Sequence, residues 1–238
     1  MQKKVICWLI FFLLAALSVY GENASDYFNR GLKSTSTRTK IKYFSKALEM
    51  APNLIEAYEK RGVLYFYQGK FDNVIQDFQV YIKFSPPKAE AYRMLGMGYL
   101  KLGDCPSAIY NFTRAIEIDP NKQASAYSNR AEAHFLSGNY SQTILDSSRA
   151  IAIGGDPRDI AEAYRARAKA FRKTGRNDLA AEDIRSSWQI DPRYAYYYKA
   201  LYGYASPESV RKAGLIAVIG IAFLLLFKFK IKPPEKND

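Results

Sequence analysis

The apolar residues of this chain fall in three regimes. Val5–Leu17, VICWLIFFLLAAL, is an unbroken apolar run of 13 residues behind Lys3 and Lys4. Ala213–Phe227 is a second run, of 15 residues, continuing through Phe229 and Ile231 between lysines. Between the two runs apolar and polar positions alternate at helical spacing. Tyr92, Leu95, Gly96 and Tyr99 stand at i, i+3, i+4 and i+7, one face of a helix. Lys101-Leu102-Gly103-Asp104 then predicts a turn, with Gly103 suited to the left-handed position that ends a helix. Ala108, Phe112 and Ala115, at i, i+4 and i+7, predict a second helix. Asp119 and Pro120 follow as a candidate cap and first helical residue.

This helix pair recurs. Tyr58 and Tyr92 are 34 residues apart, as are Gly62 and Gly96, Gly69 and Gly103, and Phe78 and Phe112. Pro52, Pro86 and Pro120 keep the same step. The period then stretches to 35 between Tyr92 and Tyr127 and to 37 between Tyr127 and Tyr164. The added residues fall at Asn121–Gln123 and Gly154–Asp159, which the pattern places between helices. A fixed period of this length is the mark of a stack of identical supersecondary units.

The third unit carries Tyr92, Leu95, Gly96, Tyr99, Ala108, Phe112, Ala115 and Pro120 at repeat positions 4, 7, 8, 11, 20, 24, 27 and 32. At the same positions the second unit has Tyr58, Arg61, Gly62, Tyr65, Val74, Phe78, Tyr81 and Pro86. The fifth has Tyr164, Arg167, Ala168, Phe171, Ala180, Ile184, Ser187 and Pro192. The fourth has Tyr127, Arg130, Ala131, His134, Thr143, Ser147 and Ala150, with Pro157 delayed by two residues. A degenerate first unit shows Tyr27, Gly31, Phe44, Ala47 and Pro52. This pattern resembles the tetratricopeptide repeat (TPR) family. The resemblance implies an all-α fold, a right-handed superhelical solenoid of antiparallel helix pairs. Its units span roughly 24–54, 55–88, 89–122, 124–159 and 161–194. A repeat array needs a polar cap, and the Tyr-rich stretch 193–204 is expected as a capping helix. Tyr81 stands where the family has a small residue, so a wider spacing of the second and third units is expected. Thr143 and Ser147 weaken the expected core of the fourth.

The two apolar ends set the expected topology. The first is too short for a bilayer, which needs roughly 20 helical residues. Behind a basic start it reads as a secretory signal over residues 1–21, with an uncleaved signal anchor as the alternative. A lipobox at Cys7 fails because the apolar run follows the cysteine. Residues 213–231 suffice for one C-terminal transmembrane helix, after a linker at 205–212. The tail 232–238, and Lys228, Lys230, Lys232 and Lys236 around it, place the C-terminus in the cytoplasm. The expected location is therefore a single-pass membrane protein with its repeats outside the cytoplasm, on the periplasmic face of a bacterial inner membrane.

Composition narrows the chemistry. Lys and Arg total 35 against 23 Asp and Glu, a net charge of +12. Residues 1–21 hold +2 of this and 211–238 hold +4, which leaves a modest +6 in between. With no recognised nucleic-acid module, a nucleic-acid partner is not expected. The single histidine, His134, sits at a core position, and no hydrolase, zinc, P-loop or dinucleotide fingerprint is present. No enzyme activity, cofactor or metal is expected. Cys105, in the turn of the third unit, reads as a tolerated small residue, and Asn23, Asn111 and Asn139 begin N-x-Ser/Thr sequons.

The resemblance implies a function as well. Repeat positions 2, 5, 6, 9, 12 and 13 of the family face a concave groove that takes a peptide or helix of a partner. Here the expected groove residues are Arg93, Asn129, Arg165, Lys169 and Arg172, with Met97, Glu132, Glu59 and Lys60 also at groove positions. Arg165, Lys169 and Arg172 follow at i, i+4 and i+7, so one helix would carry them as a basic stripe. That stripe reads either as a site for an acidic segment or as a solvated face. A chaperone-type carboxylate clamp is not expected, since Met97, Glu162 and Ala166 break its pattern. The expected function is a membrane-tethered, non-enzymatic scaffold for a protein or peptide partner. The alternative is a fixed structural subunit of a larger envelope complex.

Overall fold

The computed structural model describes residues 23–191. They form ten α-helices in five hairpins, with no strand among them. The hairpins are α1 (Ala24–Lys33) with α2 (Thr37–Met50), α3 (Ile55–Tyr67) with α4 (Phe71–Phe84), and α5 (Ala89–Lys101) with α6 (Cys105–Ile118). Then come α7 (Ala124–Leu136) with α8 (Tyr140–Ile153), and α9 (Pro157–Lys173) with α10 (Asn177–Ile190). Each helix packs on the next, as in a stack of repeated hairpins. The expected signal segment, capping helix, linker and membrane span lie outside the described residues. Among the described residues no helix is long and apolar enough to cross a membrane.

Local signals explain most helix ends. Asn23 and Asp26 bond each other's backbone amide in a capping box at the start of α1, at 3.0 Å both ways. The Asp104 carboxylate accepts from the Ser107 amide at 3.1 Å and so caps α6. Ser107, through its hydroxyl first and its amide second, holds the Asp104 carboxyl below its ordinary pKa. Gly103 has the expected left-handed backbone, φ 84°.

Three boundary expectations need correction. Asp119 closes α6 rather than opening a helix, and α7 starts only at Ala124. The residues Asn121–Gln123 hold Pro120 away from the next first turn. The insertion after α8 is only partly a loop. Asp156 accepts from the Arg158 amide at 2.8 Å, Pro157 takes the first helical position, and α9 runs 17 residues, one turn earlier than the repeat register requires. Cys105 is the first residue of α6 rather than part of the turn.

The core repeats with the sequence. Phe44, Phe78 and Phe112 are almost fully buried, each against a glycine of its own hairpin: Gly31, Gly62 and Gly96. A β-carbon on Gly96 would lie 2.8 Å from the Phe112 ring. In the fourth and fifth units alanine replaces that glycine, as Ala131 and Ala168, and the Phe positions hold Ser147 and Ile184. Tyr81 is buried in one cluster with Val74 and Phe78 of α4 and Ala91, Met94 and Leu95 of α5. The fourth core carries the expected weakness: the Ser147 hydroxyl is buried without a hydrogen-bond partner.

A polar ladder runs beside this core. The Arg61 guanidinium donates to both Asp77 oxygens at 2.9 and 2.7 Å and to Ser45 Oγ of the preceding unit at 3.0 Å. Arg130 does the same with Asp146 and Thr113, and Arg167 with Asp183 and Ser148. Each guanidinium also lies over the tyrosine three residues earlier, at 5.4–5.7 Å. Burial opposes the Arg61 charge, but Asp77 outweighs it and holds the guanidinium above its ordinary value. Burial lifts the Asp77 carboxyl above its ordinary value against the pull of Arg61. The third unit departs from the ladder: Leu95 stands for the arginine and Asn111 for the aspartate.

Candidate binding groove

The first helices of the last three units build the concave site. Alanines set its shape: Ala161, Ala163, Ala166, Ala168 and Ala170 are all buried on α9, and Ala131 and Ala133 on α7. These small side chains let α9 pack closely on both α7 and α8. The contact between α5 and α7 is slighter, and there a cleft of about 300 Å³ opens. Three helices line it: Met97, Leu100 and Lys101 come from α5, Ser128, Asn129 and Glu132 from α7, and Glu162 and Ala166 from α9.

The expected groove residues divide sharply. Asn129 lines the cleft. Arg93 donates to both carboxylate oxygens of Glu90, at 2.7 and 2.5 Å, and from Nη1 to the Met97 sulfur at 2.9 Å. Burial opposes its charge, yet Glu90 holds the guanidinium above its ordinary value. Arg165, expected on an open stripe, is buried at 5% exposure and ion-paired with Glu162 one turn back. Lys169 reaches across to α7, where its Nζ meets both Glu132 oxygens at 3.3 Å and lies 5.5 Å from the Phe135 ring centre. Arg172 is exposed. The three basic residues are therefore not one open stripe. Helical spacing says that they share a side of α9, but α7 packs along that side and supplies Glu132.

Sequence reasoning missed Leu100, Lys101 and Ser128, although they occupy positions 12, 13 and 5, where the family faces its groove. The groove is consequently of mixed charge, with Lys101 and Lys169 near Glu132 and Glu162. His134 stands behind it. Burial lowers its pKa, Asp146 opposes the shift and Arg130 adds to it. Its Nε2 lies 3.8 Å from Asp146, and its Nδ1 is buried without a partner. Among the described residues no group of three His, Cys, Asp or Glu is placed to hold a metal.

A stack of two-helix hairpins is a helical-repeat architecture. Comparison with solved structures specifies which. The chain is similar to MamA at 24% identity and a TM-score of 0.63, over 78% of this chain and 98% of that one. It is similar to YrrB, described as a TPR protein with an unusual peptide-binding site, at 20% identity and a TM-score of 0.62, over 79% and 97%. A thermophilic TPR protein of Thermus thermophilus, TTC0263, matches at 18% identity and a TM-score of 0.55, over 73% and 97%. No family model and no curated protein sequence matches. The chain has the tetratricopeptide-repeat fold.

Proposed function

We propose that this chain is a non-enzymatic, membrane-tethered scaffold that holds a peptide or helix of a partner protein in the cleft between α5, α7 and α9. The observation that carries the reading is the cleft itself. Met97, Leu100 and Ala166 give it apolar surface, and Lys101, Ser128, Asn129, Glu132 and Glu162 give it polar groups that can fix direction and register. YrrB, with the same fold, is described as having a peptide-binding site. The pairing of Arg93, Arg165 and Lys169 with acids reduces the case for a purely acidic segment. A segment of mixed charge, meeting Lys101 and Glu162 in turn, fits the cleft better.

A photo-crosslinking residue placed at Asn129 in the full chain, in its native membrane, should form an adduct with a discrete partner. The same residue at Leu145, 62% exposed on α8, should not. Adducts from Leu145 alone would favour the alternative of a fixed subunit in a larger complex. Tyr67, Phe84, Tyr110 and Leu145 are exposed apolar residues outside the cleft that such a complex could cover.

Membrane tethering rests on the sequence at both ends: the run Val5–Leu17 behind two lysines, and residues 213–231 followed by a lysine-rich tail. They support a repeat array outside the cytoplasm, on the periplasmic face of a bacterial inner membrane, with a cytoplasmic C-terminus. A reporter fused after Asp238 should be active only as a cytoplasmic enzyme. Activity confined to the exported compartment would rule the topology out.

A further inference from the structure

The 34-residue step carries the arginine cradle of the second unit onto the third, residue by residue. Ser45, Tyr58, Arg61, Tyr65 and Asp77 become Gln79, Tyr92, Leu95, Tyr99 and Asn111. Both tyrosines are kept and the guanidinium is lost. Gln79, Leu95, Tyr99 and Asn111 line an open cleft of about 470 Å³, rimmed by Pro106, Ser107 and Tyr110. It shares no lining residue with the concave groove.

The polar groups of this cleft include ready acceptors. Gln79 Nε2 donates to the Tyr99 hydroxyl at 2.9 Å, and Asn111 Nδ2 donates to the Ser107 carbonyl at 2.8 Å. One N–H of each amide is used in this way, and the carbonyl oxygens of both side chains stand as acceptors. Beside them stand the rings of Tyr99 and of Tyr110, the latter 63% exposed. Acceptors next to aromatic faces suit a planar cation rich in donors. A guanidinium has that shape, whereas an ammonium is a point charge without a plane to stack. A carboxylate would meet carbonyl oxygens and find no cation among the lining residues. In the second unit the equivalent place holds a guanidinium 5.7 and 5.6 Å from the Tyr58 and Tyr65 rings; of their counterparts Tyr99 lines the cleft, while Tyr92 lies under the Arg114 guanidinium at 5.9 Å.

We propose that the cleft between α4, α5 and α6 receives an arginine side chain of a partner protein, which supplies from outside the guanidinium that the third unit lacks. This contact lies apart from the concave groove and stands or falls independently of it.

The test uses the full chain in a neutral detergent with selectively labelled tyrosine rings, read by NMR. The probes are blocked Gly-Arg-Gly, Gly-Lys-Gly and Gly-citrulline-Gly peptides. Citrulline keeps the plane and loses the charge. The arginine peptide should shift the Tyr99 and Tyr110 resonances saturably, and the citrulline and lysine peptides should bind at least ~5-fold more weakly. Leu95→Arg with Asn111→Asp restores the internal pair and should abolish the response. Equal binding of all three peptides, or an unchanged response in that double variant, would overturn the proposal. If the double variant does not fold, Tyr110→Ala removes only an exposed ring. It should weaken the arginine peptide by roughly 3-fold or more, and unchanged affinity would count equally against the site.

Discussion

Arg61→Leu alone should lower the unfolding free energy by about 3–5 kcal/mol, because it leaves Asp77 buried with its charge unanswered. The Asp77 side chain is only 4% exposed and that of Arg61 only 18%, so solvent screens the pair little. Asp77→Asn should cost a similar amount by stranding the guanidinium. The double variant Arg61→Leu/Asp77→Asn should recover most of the loss, to within about 1–2 kcal/mol of the parent. The third unit carries this very combination, Leu95 with Asn111, and there the asparagine amide turns back to the Ser107 carbonyl. The single variants should also differ in pH dependence. Burial already raises the Asp77 pKa in the folded state, and removing Arg61 takes away the group that lowers it. The folded carboxyl then binds its proton more tightly than the unfolded one. The Arg61→Leu deficit should thus be small in acid and grow as pH rises through the folded pKa. Asp77→Asn should show no such dependence, since arginine stays charged throughout. Urea titrations of the full chain in mild detergent, followed by far-UV circular dichroism at several pH values, read both effects. A double variant as unstable as either single one would show that the ladder stabilises by more than mutual neutralisation.

Phe112→Ala should cost about 3–5 kcal/mol, as for other fully buried phenylalanines. Its ring is 0% exposed and packs with Ala108 of its own helix and Ala133 of the next unit. The opposite error is also expected to cost. Gly96→Ala places a β-carbon 2.8 Å from two atoms of that ring, an overpacking penalty of about 1–3 kcal/mol. A gain of about 1 kcal/mol in helix propensity offsets it only in part. The fifth unit pairs Ala168 with Ile184 at these positions. Gly96→Ala/Phe112→Ile, which copies it, should therefore be more stable than the two single losses added together by more than ~0.5 kcal/mol. Thermal unfolding of the parent, Gly96→Ala, Phe112→Ile and the double variant completes the cycle. Simple additivity would mean that glycine and ring do not constrain each other.

These pairings show what the sequence makes legible. The five hairpins could be read because Tyr recurs at nearly one step throughout, with Gly and Phe at fixed offsets from it in the second and third units. The arginines at position 7 were equally visible, yet their purpose was not. Asp77, Asp146 and Asp183 stand 16 residues further on, on the partner helix, where no helical period connects them to the arginines. Asn129, read at a groove position, lines the cleft from the middle of α7. Arg165 misled because spacing along α9 reports which residues share a side, not what covers that side. The extra turn at Pro157 belongs to the same class. Its signal, Asp followed by Pro, was also present at Asp119-Pro120, where the helix does not start.

The ladder and its interruption give the array two kinds of joint. Between the first and second units, the third and fourth, and the fourth and fifth, an arginine bonds a hydroxyl of the preceding hairpin. Between the second and third the joint is an apolar cluster of Val74, Phe78, Tyr81, Ala91, Met94 and Leu95, with an amide-to-phenol bond at its edge. The second joint has only a neutral hydrogen bond beside its apolar contact, and apolar contact weakens on cooling. The other joints add a bond from a charged guanidinium that an aspartate of its own hairpin holds in place. Cooling should thus loosen the seam between the second and third units first, so temperature biases which hairpins move together.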